Sequence, residues 1–179
     1  MARSLCPGRG AWLQLTHHES VADRVICLVA VAPKLAAFER AIASYVGRKH
    51  AIAVNSGTSG LHLLVRAFGI GEGDEVITTP FSFIASSNCI LYERAKPVFV
   101  DIEPDTANID PNLIENAITP RTKAILPVDA FSQPARLDVI REIADRHGLV
   151  VIEDSCWGGR GRDDRHRRRP GSACLPEHV

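Results

Sequence analysis

From Leu35 to Asp154 the chain alternates between two hydrophobic rhythms. Apolar residues recur at helical spacing in LAAFERAIASYVG, which ends at Gly47, a residue suited to cap a helix C-terminus. Short runs rich in Val, Ile and Ala stand between such segments: HAIAV, DEVITTP, KPVFVDI, TKAILPVDAF and LVVIEDS. These five read as strands. SGLHLLVRAFGI, FSFIASSNCILYERA, DPNLIENAI and ARLDVIREIADRHG read as the helices between them, with Asp110 as an N-cap, Pro111 at the first helical position and Gly148 as a C-cap. Strands apolar on both faces and separated by helices predict a mainly parallel sheet covered on each side, a three-layer α/β/α domain.

The two ends lack this alternation. Residues 1–34 show weak periodicity, broken early by Pro7, Gly8 and Gly10. Within them VICLVAVA is apolar but far too short to span a bilayer, and it follows Glu19 and Asp23 where a signal peptide would carry a short basic leader. After Trp157 the apolar rhythm stops in GGRGRDDRHRRRPGSACLPEHV, a composition expected to be disordered. The predicted division is therefore a divergent segment over 1–34, an α/β unit over 35–156 and an Arg-rich tail over 157–179.

Composition narrows the classes of function. Lys and Arg together number 21 and so do Asp and Glu, so no net charge favours nucleic acid or an anionic membrane. The Arg cluster from Arg160 to Arg169 lacks the interleaved aromatics of a nucleic-acid surface. The five cysteines form no C-x-x-C pair, which supports neither a metal site nor a disulfide framework. Free thiols in a reducing cytoplasm are the expectation.

In a parallel α/β sheet, ligands bind beyond the carboxyl ends of the strands. Three groups fall there. The first is NSGTSG, where Gly57, Thr58, Ser59 and Gly60 open a helix; free N–H groups and the positive helix end suit a phosphate, with hydroxyls on Ser56, Thr58 and Ser59 as further donors. A plain helix cap is the alternative. The second is Phe83, either a ring to stack on a flat ligand or simply core. The third is Glu153-Asp154, carboxylates placed to pair with a protonated ring nitrogen or to cap a following helix. The glycines of GIGEGD precede a strand and lack dinucleotide-binding spacing, which removes that reading.

Taken in order, FERAIASYVGRKHAIAVNSGTSGLHLL, GIGEGDEVITTPFSFIASSNCILYERAKPVFVDI, AITPRTKAILPV and FSQPARLDVIREIADRHGLVVIEDS resemble the nucleotide-sugar aminotransferases of the DegT/DnrJ/StrS type. The resemblance covers roughly residues 35 to 156 and implies part of the large domain of a pyridoxal-phosphate enzyme with the aspartate-aminotransferase fold. It implies that Gly57, Thr58 and Ser59 hold the cofactor phosphate, that Phe83 stacks on the pyridine ring, and that Asp154 pairs with the pyridine nitrogen. Gln133 falls in a loop near the family's active site without an assigned role. The implied reaction moves an amino group from glutamate or glutamine to a keto nucleotide-sugar. The implied partners are those two substrates and a second copy of the chain, in the cytoplasm, with neither nucleic acid nor membrane.

The family's Schiff-base lysine follows the aspartate in a Ser-Phe-x-x-x-Lys-like motif. The twenty-five residues after Asp154 hold none, and Trp157 stands where the family usually has Gln or Glu. Lys34, Lys49, Lys96 and Lys123 read as surface residues. The expectation is thus no catalytic residue and a chain inactive alone. It is also that HAIAV lacks its strand neighbour, since the family supplies that neighbour from further along the chain. A non-enzymatic remnant and a fragment of a related dehydratase, which uses His in place of the lysine, are the alternatives.

Overall fold

In the computed structural model, which describes residues 24–28, 35–155 and 172–173, seven strands alternate with five helices. In chain order they are β1 (Arg24–Leu28), α1 (Leu35–Val46), β2 (His50–Val54), α2 (Gly57–Ala67), β3 (Glu75–Thr78), α3 (Ala85–Tyr92), β4 (Lys96–Phe99), α4 (Pro111–Ala117), β5 (Thr122–Leu126), α5 (Leu137–His147), β6 (Val150–Ile152) and β7 (Ser172–Ala173). One sheet has the order β4-β3-β5-β6-β7 and is parallel throughout. A second, two-stranded sheet joins β1 and β2 in parallel.

Each long strand is apolar on both sides, and the structure uses both. Val76 of β3, Ala124 and Leu126 of β5 and Ile152 of β6 pack with Leu61, Leu64 and Val65 of α2 and Cys89 and Ile90 of α3. The alternate residues Ile77, Ile125 and Val151 pack on the opposite face with Ile114 of α4 and Leu137, Ile140 and Ile143 of α5. This two-residue alternation is the pleat of a strand buried on both faces. Each fully buried isoleucine contributes about 1.5–3 kcal/mol from burial.

The predicted caps form as read. Asp110 accepts from the Asn112 N–H ahead of Pro111, and Gly148 closes α5 at φ 65°, in the left-handed region where glycine carries no Cβ penalty. Lys49, Lys96 and Lys123 are exposed, as expected.

Two expectations are corrected. HAIAV does not lack a neighbour: all five of its residues pair with Arg24–Leu28, in register from Arg24↔His50 to Leu28↔Val54. The physical reason is that the apolar run near the start supplies an unpaired edge with a partner, satisfying backbone groups that would otherwise stay open. The helix read from FSFIASSNCILYERA begins only at Ala85; ahead of it the Phe81 N–H bonds to Thr79 Oγ1 at 3.2 Å, a local side-chain bond that competes with helix at the start of that segment. The disorder expected of the Arg-rich tail falls on residues outside those described, apart from the two-residue strand β7.

Candidate functional site

Because the main sheet is parallel, the carboxyl ends of β3, β5 and β6 open at one edge, where the segments that follow them carry polar and aromatic side chains. The turn into α2 follows β2 of the other sheet, and α2 packs on the main sheet through Leu61, Leu64 and Val65. At the turn into α2, Ser56 adopts extended backbone (φ −160°) and its Oγ accepts from the Ser59 N–H at 3.1 Å. The Ser56 and Ser59 hydroxyls also share a 2.8 Å hydrogen bond. The cap reading of this turn is realised. The N–H groups of Gly57 and Thr58 and the Thr58 hydroxyl stand outside that network, on a half-buried helix start. Ser56 and Ser59 are thus spent largely on each other, which trims the donors the sequence counted.

The turn after β3 lifts aromatic rings off the core. Phe83 is 64% exposed and Phe81 46%, so the core reading of Phe83 does not hold. Its neighbours behave differently. Ser86, the second residue of α3, is buried and donates from Oγ to Asp154 Oδ2 at 2.7 Å, while the Ser82 hydroxyl lies 2.7 Å from the same Ser86 oxygen.

Glu153 and Asp154 are consecutive at a strand end, so they face opposite sides of the sheet. Asp154 turns toward α3 and the Phe83 turn. Glu153 turns toward α5, with Oε2 3.7 Å from the Arg141 guanidinium and Oε1 2.8 Å from the Ser155 hydroxyl, whose single proton it shares with Asp129. Geometry therefore separates two carboxylates that the sequence left together. The Asp154 backbone is fixed as well: its N–H bonds to the Pro127 carbonyl at 3.0 Å and its carbonyl accepts from Asp129 at 2.9 Å. Below it, the Cys89 thiol is pushed up to about 12, first by burial and then by the negative charge of Asp154.

The loop after β5 had only Gln133 marked in the sequence. Here Gln133 is exposed and its carbonyl accepts from Asn108 Nδ2 at 2.9 Å. Asn108 Oδ1 accepts from the Ala130 N–H at 2.8 Å, and the buried Asp129 accepts from the Ala135 N–H at 2.9 Å and from the Ser155 hydroxyl at 2.7 Å. Between these clamps Phe131 sits at φ 51°, ψ 37°, left-handed for a bulky residue, with its ring 5.9 Å from that of Phe81. Asn108, Asp129, Ser82 and Ser86 carried no periodic signal. A hydroxyl at each end of an S-x-x-x-S spacing around Phe83 was the one legible hint.

The family model for the DegT/DnrJ/EryC1/StrS aminotransferase family matches residues 23–166. The chain belongs to this family. It is 53% identical over 118 residues to the GDP-perosamine synthase of Caulobacter vibrioides, covering 66% of this chain and 32% of that protein. Among solved structures it resembles S. venezuelae DesV, with TM-score 0.73 and 43% identity over 81% of this chain and 40% of that one. It also resembles NtdA from Bacillus subtilis with bound cofactor PMP, with TM-score 0.70 and 43% identity over 72% of this chain and 29% of that one. The chain spans about a third of the length of the curated relatives it matches. Solved aminotransferases of this family thus share its α/β architecture, and pyridoxal phosphate is the cofactor that the family implies. Among the described residues no helix is long and apolar enough to cross a membrane.

Proposed function

We propose that this chain carries the cofactor-binding portion of an aminotransferase that moves an amino group from glutamate or glutamine to a keto nucleotide-sugar. The observation that carries the proposal is the buried Asp154 carboxylate, held by Ser86 at 2.7 Å at the carboxyl edge of the sheet, on the side of the exposed Phe83 ring.

The side chains present fit a phosphorylated, protonated pyridine. The Gly57 and Thr58 N–H groups and the positive end of α2 suit the phosphate; in this reading Ser59 helps shape the turn through its bonds to Ser56. Phe83 offers a ring face, and Asp154 offers a carboxylate in low-dielectric surroundings to hold a proton on the ring nitrogen. Bound there, pyridoxal phosphate would supply an electron-accepting ring for the transfer. Leu61 and Leu64 of α2, Cys89 and Ile90 of α3 and Ile152 of β6 share one apolar cluster, so the phosphate turn, the Phe83 turn and the Asp154 strand rise from a common support.

These 179 residues supply binding without the covalent lysine. Among the described residues, Lys96 and Lys123 stand at or near the amino ends of β4 and β5, the edge of the main sheet opposite Asp154, and Lys49 stands exposed just before β2; Lys34 lies outside the described residues. The test is titration with pyridoxal phosphate, then borohydride reduction and peptide mapping. Saturable binding with no labelled lysine supports the proposal. One specific labelled lysine contradicts the lysine-free reading, and absence of binding contradicts the cofactor site.

A further inference from the structure

We propose that Ser86 is the positioning residue for Asp154, and that Ser82 completes it, so that one hydroxyl chain ties the ring-stacking turn to the ring-nitrogen carboxylate. The inference rests on the cofactor reading above and assigns roles to two residues which that reading leaves without one.

The direction of the chain follows from proton counting. Ser86 Oγ donates its single proton to Asp154 Oδ2. The 2.7 Å contact between Ser82 and Ser86 therefore runs from the Ser82 hydroxyl to the Ser86 oxygen. Ser82 is half-buried, Ser86 is 1% exposed and Asp154 is 4% exposed, so the series leads from the edge into the core. Ser82 and Ser86 bracket Phe83. A shift of the turn that moves the ring also moves the hydroxyl that orients the carboxylate.

Burial gives these bonds their weight. A buried carboxylate requires donors, and a donor on a rigid helix selects one side-chain rotamer. Ser86 is held from below, where its carbonyl accepts from the Cys89 thiol at 3.3 Å. Ser87, the next residue, bonds back to the Ile84 carbonyl at 3.1 Å on the exposed side and takes no part.

The test uses the whole chain with pyridoxamine 5′-phosphate, which binds without forming a covalent link. Affinities are measured for wild type, Ser86→Ala, Ser86→Thr, Ser87→Ala, Asp154→Asn and the Ser86→Ala/Asp154→Asn double variant, and thermal melting confirms folding. The proposal predicts about tenfold weaker binding in Ser86→Ala, the cost of a charged-group hydrogen bond, with recovery in Ser86→Thr and no change in Ser87→Ala. In the double variant the serine change adds nothing beyond Asp154→Asn. The nitrogen chemical shift of ring-labelled probe moves toward the neutral pyridine value in Ser86→Ala. Weak binding in Asp154→Asn with wild-type binding in Ser86→Ala overturns this inference and leaves the cofactor reading standing. Wild-type binding in Asp154→Asn overturns both. Equal additive losses in Ser86→Ala and Ser87→Ala mean a loosened helix, and they overturn the positioning role.

Discussion

Arg121 Nη2 donates to Glu75 Oε1 at 2.8 Å at the amino edge of the sheet, the end opposite the candidate site. Thr119 donates to the other oxygen at 2.6 Å, and Lys96 Nζ lies 3.4 Å away. These donors, Thr119 first and then Arg121, lower the Glu75 carboxyl from 4.5 to about 2. This cluster of Glu75, Thr119, Arg121 and Lys96 thus lies at the edge opposite the groups proposed to bind the ligand.

A pH dependence follows from Glu75. Its folded value lies below its unfolded one, so its stabilising contribution is present above about 4.5 and is lost as pH falls toward about 2. Chemical denaturation at a series of pH values should show wild type losing stability through that window. Glu75→Gln should be less stable at neutral pH and flatter below it.

Asn108 bridges the two halves of the loop after β5 through Ala130 and Gln133. Asn108→Ala strips partners from one backbone N–H and one carbonyl and should cost about 1–3 kcal/mol in denaturant unfolding. Asn108→Asp keeps the acceptor for Ala130 but sets a carboxylate against the Gln133 carbonyl, and it should be no better tolerated.

Phe131 offers a test in which glycine beats alanine. Both substitutions remove the ring and its contact with Phe81, so their difference isolates the left-handed backbone at φ 51°. Phe131→Gly should be more stable than Phe131→Ala by about 1 kcal/mol. The opposite order in thermal melts would show that the loop relaxes out of that conformation.

Ser56 is the cap of α2. Ser56→Ala should cost about 0.5–2 kcal/mol of stability, and Ser56→Gly less. If the turn holds a phosphate, Ser56→Ala should also weaken inorganic phosphate and pyridoxamine 5′-phosphate in parallel, because both use the N–H groups that the cap orients.

The parallel sheet and its caps were legible because they rest on local periodicity and on single residues such as Asp110 and Gly148. The partner of HAIAV was not, because VICLVAVA stands apart from the strand–helix alternation and its pairing spans more than twenty positions. Phe83 stayed open between core and ring face, because burial statistics favour the core for any phenylalanine while its 64% exposure depends on the path of the turn after β3. The candidate site was half legible. Gly57, Thr58, Ser59, Phe83 and Asp154 stand in recognisable strings, whereas Ser86 meets Asp154 across 68 positions of sequence and Asn108 meets Gln133 across 25. Such contacts exist only once the layers have packed.

On the proposed function, the carboxyl edge binds a phosphorylated pyridine between α2, the Phe83 turn and Asp154. Backbone amide chemical-shift mapping with pyridoxamine 5′-phosphate tests it most directly. Binding there should give saturable shifts concentrated at Gly57, Thr58, Phe83 and Ser155, with those of Glu75 and Arg121 unmoved. No saturable shift, or shifts centred at the amino edge, would contradict it.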